Sequence, residues 1–416
     1  MIKIMNKRTF VLSALIALPL IMCQAKTRKA MYIIIDGVSR EFLGETKPTT
    51  IFDIAKTGSY ADAYAGGEIG GISHSPTISA IGYTNILTGT WMNKHNVRGN
   101  SDIHTNYNYW SLFRIAKAQK RPVKTALFSS WADNRTLLVG EGRPETSNLK
   151  IDYVYDGYDL DKKNFPDKPR ELRIYDVDSV VCRNTAECVR RDAPDMSWVY
   201  LWYTDDAFHL TGYSSFSKEY MIKEDRLLKQ IWDAIKYREK NFDEDWLLIV
   251  TTDHGREEHG FNHGGDSAGE RGIWMVSNRS DMNSEWGSES LSQVDINPSI
   301  CRYMGFSVPR DVAWEQDGVP FFGNVDIHSL TTTGFDDSVI LKWKTFGNVT
   351  SDAGIYVSTT DNFNTGGKDN WQKVGTVKAS AGRYLVDLSK YPGTKNYKFV
   401  VATPNNHLTR WFRKVK

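Results

Sequence analysis

Ala30-Met31-Tyr32-Ile33-Ile34-Ile35-Asp36-Gly37 is the stretch from which the fold is read. Six successive apolar residues leave no face for water, which suits a strand covered on both sides in a parallel sheet between helix layers. Trp198–Tyr203 and Trp246–Thr252 repeat the pattern, and each run leads into an aspartate: Asp36-Gly37, Asp205-Asp206 and Asp253-His254-Gly255. Between them lie helix candidates at Tyr109–Ala118 and Lys218–Arg238, the latter with Met221, Leu228, Ile231, Trp232 and Ile235 on one stripe. Ligands of open α/β sheets gather at the carboxyl ends of the strands, so the three aspartates are expected to converge. Singly, each would pass for a turn former or helix cap.

Histidines change that balance. Asp205-x-x-x-His209 sets a carboxylate and an imidazole one helical turn apart, His254 adjoins Asp253, and His263 follows in Asn262-His263-Gly264-Gly265. Asp and His without Cys suit zinc, with manganese or iron as the other divalent choices. His259 in its Glu-Glu-His-Gly-Phe loop is expected not to be a ligand, and His74 and His95 to be structural or close to substrate.

The loop Ser73-His74-Ser75-Pro76-Thr77-Ile78-Ser79-Ala80-Ile81-Gly82-Tyr83, continued to Thr88-Gly89 and Trp91–His95, completes the motif order. Over roughly residues 30–323 the chain resembles the alkaline phosphatase superfamily, and within it type I phosphodiesterases and nucleotide pyrophosphatases. The resemblance implies an alkaline-phosphatase-like α/β fold, a mostly parallel sheet flanked by helices. It also implies two zinc ions, one held by Asp36, Ser79, Asp253 and His254 and the other by Asp205, His209 and His263. Ser79, nine residues before Thr88-Gly89, takes the place of the Ser/Thr nucleophile at a helix N-terminus, with Thr77 and Ser75 as rival hydroxyls. A phosphoserine intermediate follows from that role. Gly82 stands where we expect these pyrophosphatases to carry an oxygen-binding asparagine, and Arg98 is the candidate phosphoryl contact. The Ser79-Ala80 pair is similar to alkaline phosphatase monoesterases, while the absence of Cys/Ser-x-Pro-x-Arg argues against a formylglycine sulfatase. The expected activity is hydrolysis of a small-molecule phosphodiester or nucleotide pyrophosphate. A phosphomonoesterase is the alternative, and a surface binding protein with a catalytically silent α/β scaffold is the other.

After Gly323 the composition shifts to short alternating runs, Ser338–Phe346, Gly354–Thr359, Trp371–Val377, Arg383–Leu388, Tyr397–Ala402 and Thr409–Val415, broken by Asp, Asn and Gly. They predict a β-sandwich over 325–416, similar to fibronectin type III modules, that could contact a glycan or a surface. The α/β unit is expected over 26–324, with Trp131–Arg173 as a pocket-shaping loop insertion.

At the other end, Lys3, Lys7 and Arg8 precede an apolar run from Phe10 to Cys23, the pattern of a signal peptide over 1–25. Its removal takes the formal charge from +2 to −1. Periplasmic or secreted export is expected. Lipid anchoring at Cys23 is disfavoured, because Leu20, Ile21 and Met22 lack the small residue that processing prefers. With 52 Lys and Arg against 50 Asp and Glu among 416 residues, no electrostatic footprint for duplex nucleic acid exists. No later segment has the ~18 uninterrupted apolar residues of a membrane span. Cys182 and Cys188 leave a disulfide open: export permits it, and a helical spacing of six opposes it.

Overall fold

The structure, a computed structural model, describes residues 26–414. The signal-peptide reading of 1–25 and Cys23 lie outside the described residues.

Seven strands form the main sheet: β1 Thr27–Ile35, β2 Ser59–Tyr64, β3 Thr125–Ser129, β4 Tyr153–Tyr155, β5 Met196–Leu201, β6 Glu244–Thr251 and β7 Gly272–Ser277, in the order β2-β7-β6-β1-β5-β3-β4. Only β7 runs against the rest. The three apolar runs are thus the central neighbours β6, β1 and β5. Helices cover both faces, and two separate clusters of buried side chains result, one around Tyr32, Ile34 and Trp198 and the other around Met31, Ile33 and Val199. The helix Ser215–Asn241 lays Met221, Leu228, Ile231, Trp232 and Ile235 on the second.

The C-terminal strands are β8 Ile327–Phe335, β9 Ser338–Thr345, β10 Asp352–Ser358, β11 Gln372–Lys378, β12 Arg383–Asp387, β13 Asn396–Ala402 and β14 His407–Arg413. They make a four-stranded sheet, β11-β10-β13-β14, and a three-stranded one, β12-β9-β8, which share one core through Leu341, Trp343, Ile355, Val357 and Phe399.

Four expectations need correction. The 131–173 stretch is not all loop, because Tyr153–Tyr155 pairs with β3; three residues are too few to show a period. β8 went unread because its Thr-rich tail is exposed and a bulge between His328 and Thr331 breaks its alternation. Tyr203 begins a helix rather than ending a strand. The expected Tyr109–Ala118 helix contracts to Leu112–Lys117, capped by Ser111, whose hydroxyl accepts from Arg114 N. Cys182 and Cys188 both lie on the helix Leu172–Arg191, and these two and Cys301 are free and buried. No described helix is long and apolar enough to cross a membrane.

Candidate metal centre

β6, β1 and β5 end side by side, and each is followed within a few residues by its aspartate. Asp36 comes directly after β1, Asp253 two residues after β6, and Asp205 in the first turn of the helix Tyr203–Thr211. That helix places His209 Nε2 3.3 Å from Asp205 Oδ2. Ser79 opens the helix Ser79–Thr88, where Ile78 is the cap, so the Ser79 hydroxyl is not used in capping. It lies 3.2 Å from His254 Nε2.

The first group is wholly buried. His254 Nε2 is 3.1 Å from Asp253 Oδ2 and 3.5 Å from Asp36 Oδ1. Because His254 Nδ1 lies 3.0 Å from the Gly255 carbonyl, that nitrogen carries the proton and Nε2 offers a lone pair. Tyr200 donates to Asp36 Oδ2 at 2.6 Å and Tyr83 donates to the same oxygen, which fixes the carboxylate and turns Oδ1 inward. Gly37 N holds Asp253 Oδ1 at 3.1 Å in the same way. Asp36 Oδ1 and Asp253 Oδ2 are then buried acceptors without a donor. Such atoms are costly unless a cation meets them. Bonds of about 2.0–2.2 Å to a tetrahedral ion set its ligand atoms about 3.3–3.6 Å apart, close to the spacings found around His254 Nε2. Asp36, Asp253 and His254 therefore fit a metal, with Ser79 Oγ beside them. Without one, burial and then the neighbouring aspartates push Asp36 well above the carboxylate range, and burial lifts Asp253 to about 7. Burial also holds His254 well below the usual imidazole value, with His263 and Arg256 adding to it.

The second group is Asp205, His209 and His263. His263 Nδ1 lies 2.8 Å from the Thr77 carbonyl, so its Nε2 lone pair faces His209 Nε2 at 3.1 Å and Asp205 Oδ1 at 3.7 Å. The His254 and His263 rings stack with centroids 3.8 Å apart, which puts the two groups side by side. Here a cation is already present. Arg256, wholly buried, donates to Asp205 Oδ1 and to the Gly37 carbonyl at 3.0 Å, and its Nη1 lies 3.4 Å from His209 Nε2. Although burial opposes it, the guanidinium drags the Asp205 carboxyl far below its ordinary value. Gly37 has φ of +68°, and a side chain there would run into that guanidinium.

The other singled-out residues divide clearly. Ser75 Oγ accepts from Met92 N at 3.0 Å, while Thr77 Oγ1 donates to the Gly265 carbonyl at 2.9 Å, so both rival hydroxyls are engaged elsewhere. His74 pairs with Asp266 at 2.7 Å, His259 joins neither group, and His95 is buried against Asn85, pushed down to about 3 by desolvation. Gly82 packs against the backbone after β6: a Cβ there would sit 2.9 Å from the Asp253 carbonyl oxygen, so its place is close approach of helix and loop. Arg98 is exposed, its Nε donating to Asn96 Oδ1 at 3.0 Å.

Four residues beside the site escaped the sequence reading. Tyr83 is one helical turn after Ser79, a usable signal, but Tyr200 sits inside an apolar run that reads only as core. Arg256 follows Asp-His-Gly directly. Asn100 Oδ1 accepts at 2.9 Å from the N–H of Ala80, the residue after Ser79, and its Nδ2 is left as a donor.

Known proteins complete the description. A curated GPI ethanolamine phosphate transferase 3 of Eremothecium gossypii is 32% identical over 126 residues, 26% of this chain and only 12% of its own length. A 2-O GAG sulfatase structure superposes over 88% of this chain and 86% of that one at a TM-score of 0.51 and 10% identity, a likeness of fold alone. Murine ectonucleotide pyrophosphatase/phosphodiesterase 5 covers 68% of this chain and 96% of its own at a TM-score of 0.48 and 11% identity. The sequence model for type I phosphodiesterase / nucleotide pyrophosphatase matches residues 31–266, from within β1 to just past His263. Since that match takes in more than half of the sequence, the chain belongs to the type I phosphodiesterase / nucleotide pyrophosphatase family.

Proposed function

We propose that the chain is an exported two-metal hydrolase of phosphodiesters or nucleotide pyrophosphates, working through a phosphoserine at Ser79. In this reading 26–324 is the hydrolase unit and 325–416 the sandwich. The observation that carries it is the convergence of Ser79 Oγ, His254 Nε2 and the two unpaired oxygens, Asp36 Oδ1 and Asp253 Oδ2, at a helix N-terminus.

Asp36, Ser79, Asp253 and His254 would hold one divalent ion and Asp205, His209 and His263 the other; zinc suits both sets. Bound there, the ions supply charge that favours the Ser79 alkoxide and stabilises the phosphoryl oxygens. Ser79 Oγ releases its proton to solvent and bonds to phosphorus, the bond to the departing ester oxygen breaks, and that oxygen leaves with a proton taken back from solvent. Asn100 Nδ2 and the start of the Ser79–Thr88 helix donate to a nonbridging oxygen. Water then attacks phosphorus, takes the phosphoryl group and returns Ser79 to its hydroxyl. Tyr83 and Tyr200 keep Asp36 aligned throughout.

Rates for p-nitrophenyl phosphate, bis(p-nitrophenyl) phosphate and thymidine 5′-(p-nitrophenyl phosphate) test the substrate class. Faster cleavage of the two diesters is expected; a much faster monoester rate would make the protein a phosphomonoesterase. Cell fractionation tests export, with the mature chain beginning near residue 26.

A further inference from the structure

The sandwich does not hang free of the α/β unit. Lys398, on β13, is buried against Glu315 at 2.8 Å and Asp369 at 2.7 Å, and Lys94 reaches Asp317 at 2.8 Å. Both ammonium groups lie over the ring of Trp411 on β14, at 4.7 and 5.7 Å. Beside this joint a cleft of about 710 Å³ opens, walled by Gly70-Gly71, Asn93 and Arg98 on one side and by Asn396, Trp411 and Arg413 on the other.

Four charged side chains line it. Asp361 shares Lys398, at 2.8 Å, with Glu315 and Asp369, so that lysine is fully engaged, and the cations of the lining that no carboxylate engages are Arg98 and Arg413. Each spends its Nε on an asparagine, Arg98 on Asn96 at 3.0 Å and Arg413 on Asn396 at 3.1 Å. Neither pairs with a carboxylate among the described residues, so the terminal nitrogens of two guanidinium forks remain for a ligand. Planar forks of this kind match a phosphate. Arg98 is also two residues, at most about 7 Å of chain, from Asn100, which touches the helix that Ser79 opens.

We propose that Arg98 and Arg413 form a second anion subsite, for a phosphate that the substrate carries beyond the ester attacked by Ser79. The proposal rests on the hydrolase reading above and deepens it: the preferred substrate is a phosphoester with a further anionic group, and the sandwich supplies half of its grip.

Equilibrium binding on the full chain with Ser79→Ala separates this from catalysis, using thymidine 3′,5′-bisphosphate against thymidine 5′-phosphate. The bisphosphate is expected to bind about tenfold tighter, and Arg413→Ala or Arg98→Ala to erase that advantage without moving the thermal midpoint, since both side chains are exposed. A bisphosphate bound no tighter than the monophosphate, or an advantage that survives both substitutions, overturns the subsite. If the advantage is found and lost as expected while the wild-type chain cleaves no phosphoester, the subsite stands and the hydrolase reading falls.

Discussion

The two candidate ligand groups share a histidine stack but differ in charge and exposure. Asp36, Asp253 and His254 are wholly buried, with two carboxylate oxygens lacking any donor. Asp205 already has Arg256, and its partner His209 has a side chain 40% exposed. A divalent ion entering the first group relieves two desolvated anions, whereas one entering the second must share Asp205 with a resident guanidinium. The second ion is therefore expected to bind more weakly and to exchange faster. On this expectation burial would set affinity as much as the identity of the ligands does.

Ser79→Ala probes the first group most severely, because it removes the proposed nucleophile but no charged side chain. We expect a loss of roughly 10⁴-fold or more in kcat/KM, no phosphoenzyme in rapid-quench labelling and nearly full metal content. Retained activity would rule Ser79 out. Next, Asp253→Ala is expected to strip the tight ion and Asp205→Ala only the weak one, as read by metal analysis after dialysis. Equal losses from the two substitutions would contradict the asymmetry.

Arg256→Met reverses the comparison. At an effective dielectric near 20, a unit charge about 5 Å from a divalent ion is worth several kcal/mol, so removing it is expected to tighten the weaker ion at least tenfold in competition titrations with a chelator. Unchanged affinity would mean that the guanidinium swings aside when metal binds.

The smallest effect concerns the metal-free protein. Burial lifts folded Asp253 to about 7, above the ~3.9 of an unfolded aspartate, so the folded state keeps a proton that the unfolded state has released. That stability is present below about pH 4 and is lost as the pH rises towards 7. The depressed His254 and His263 act oppositely near pH 6.5, which Asp253→Asn separates: the variant is expected to lose less stability than wild type between pH 4 and 7 in chelator. A parallel decline in both would exclude Asp253 as its source.

How far the sequence carried this picture depended on the kind of signal. Strands buried on both faces read directly, because unbroken runs such as Ala30–Ile35 admit few other structures. The aspartates at their ends then followed from topology. β8 and β4 were hidden, the one by exposure and a bulge, the other by brevity. Tyr200 and Asn100 are placed by orientation, Tyr200 turning one oxygen of Asp36 and Asn100 holding the Ala80 N–H, and neither leaves a pattern in composition or spacing. Arg256 stood next to the Asp-His-Gly motif, yet only the fold shows its guanidinium reaching back across Gly37 to Asp205.

Anomalous diffraction at the zinc edge, on crystals of the full chain grown with zinc, tests the central claim most directly. Two peaks are expected, one within bonding distance of Asp36, Ser79, Asp253 and His254 and a weaker one among Asp205, His209 and His263. A single peak away from both groups, or none, would contradict the account.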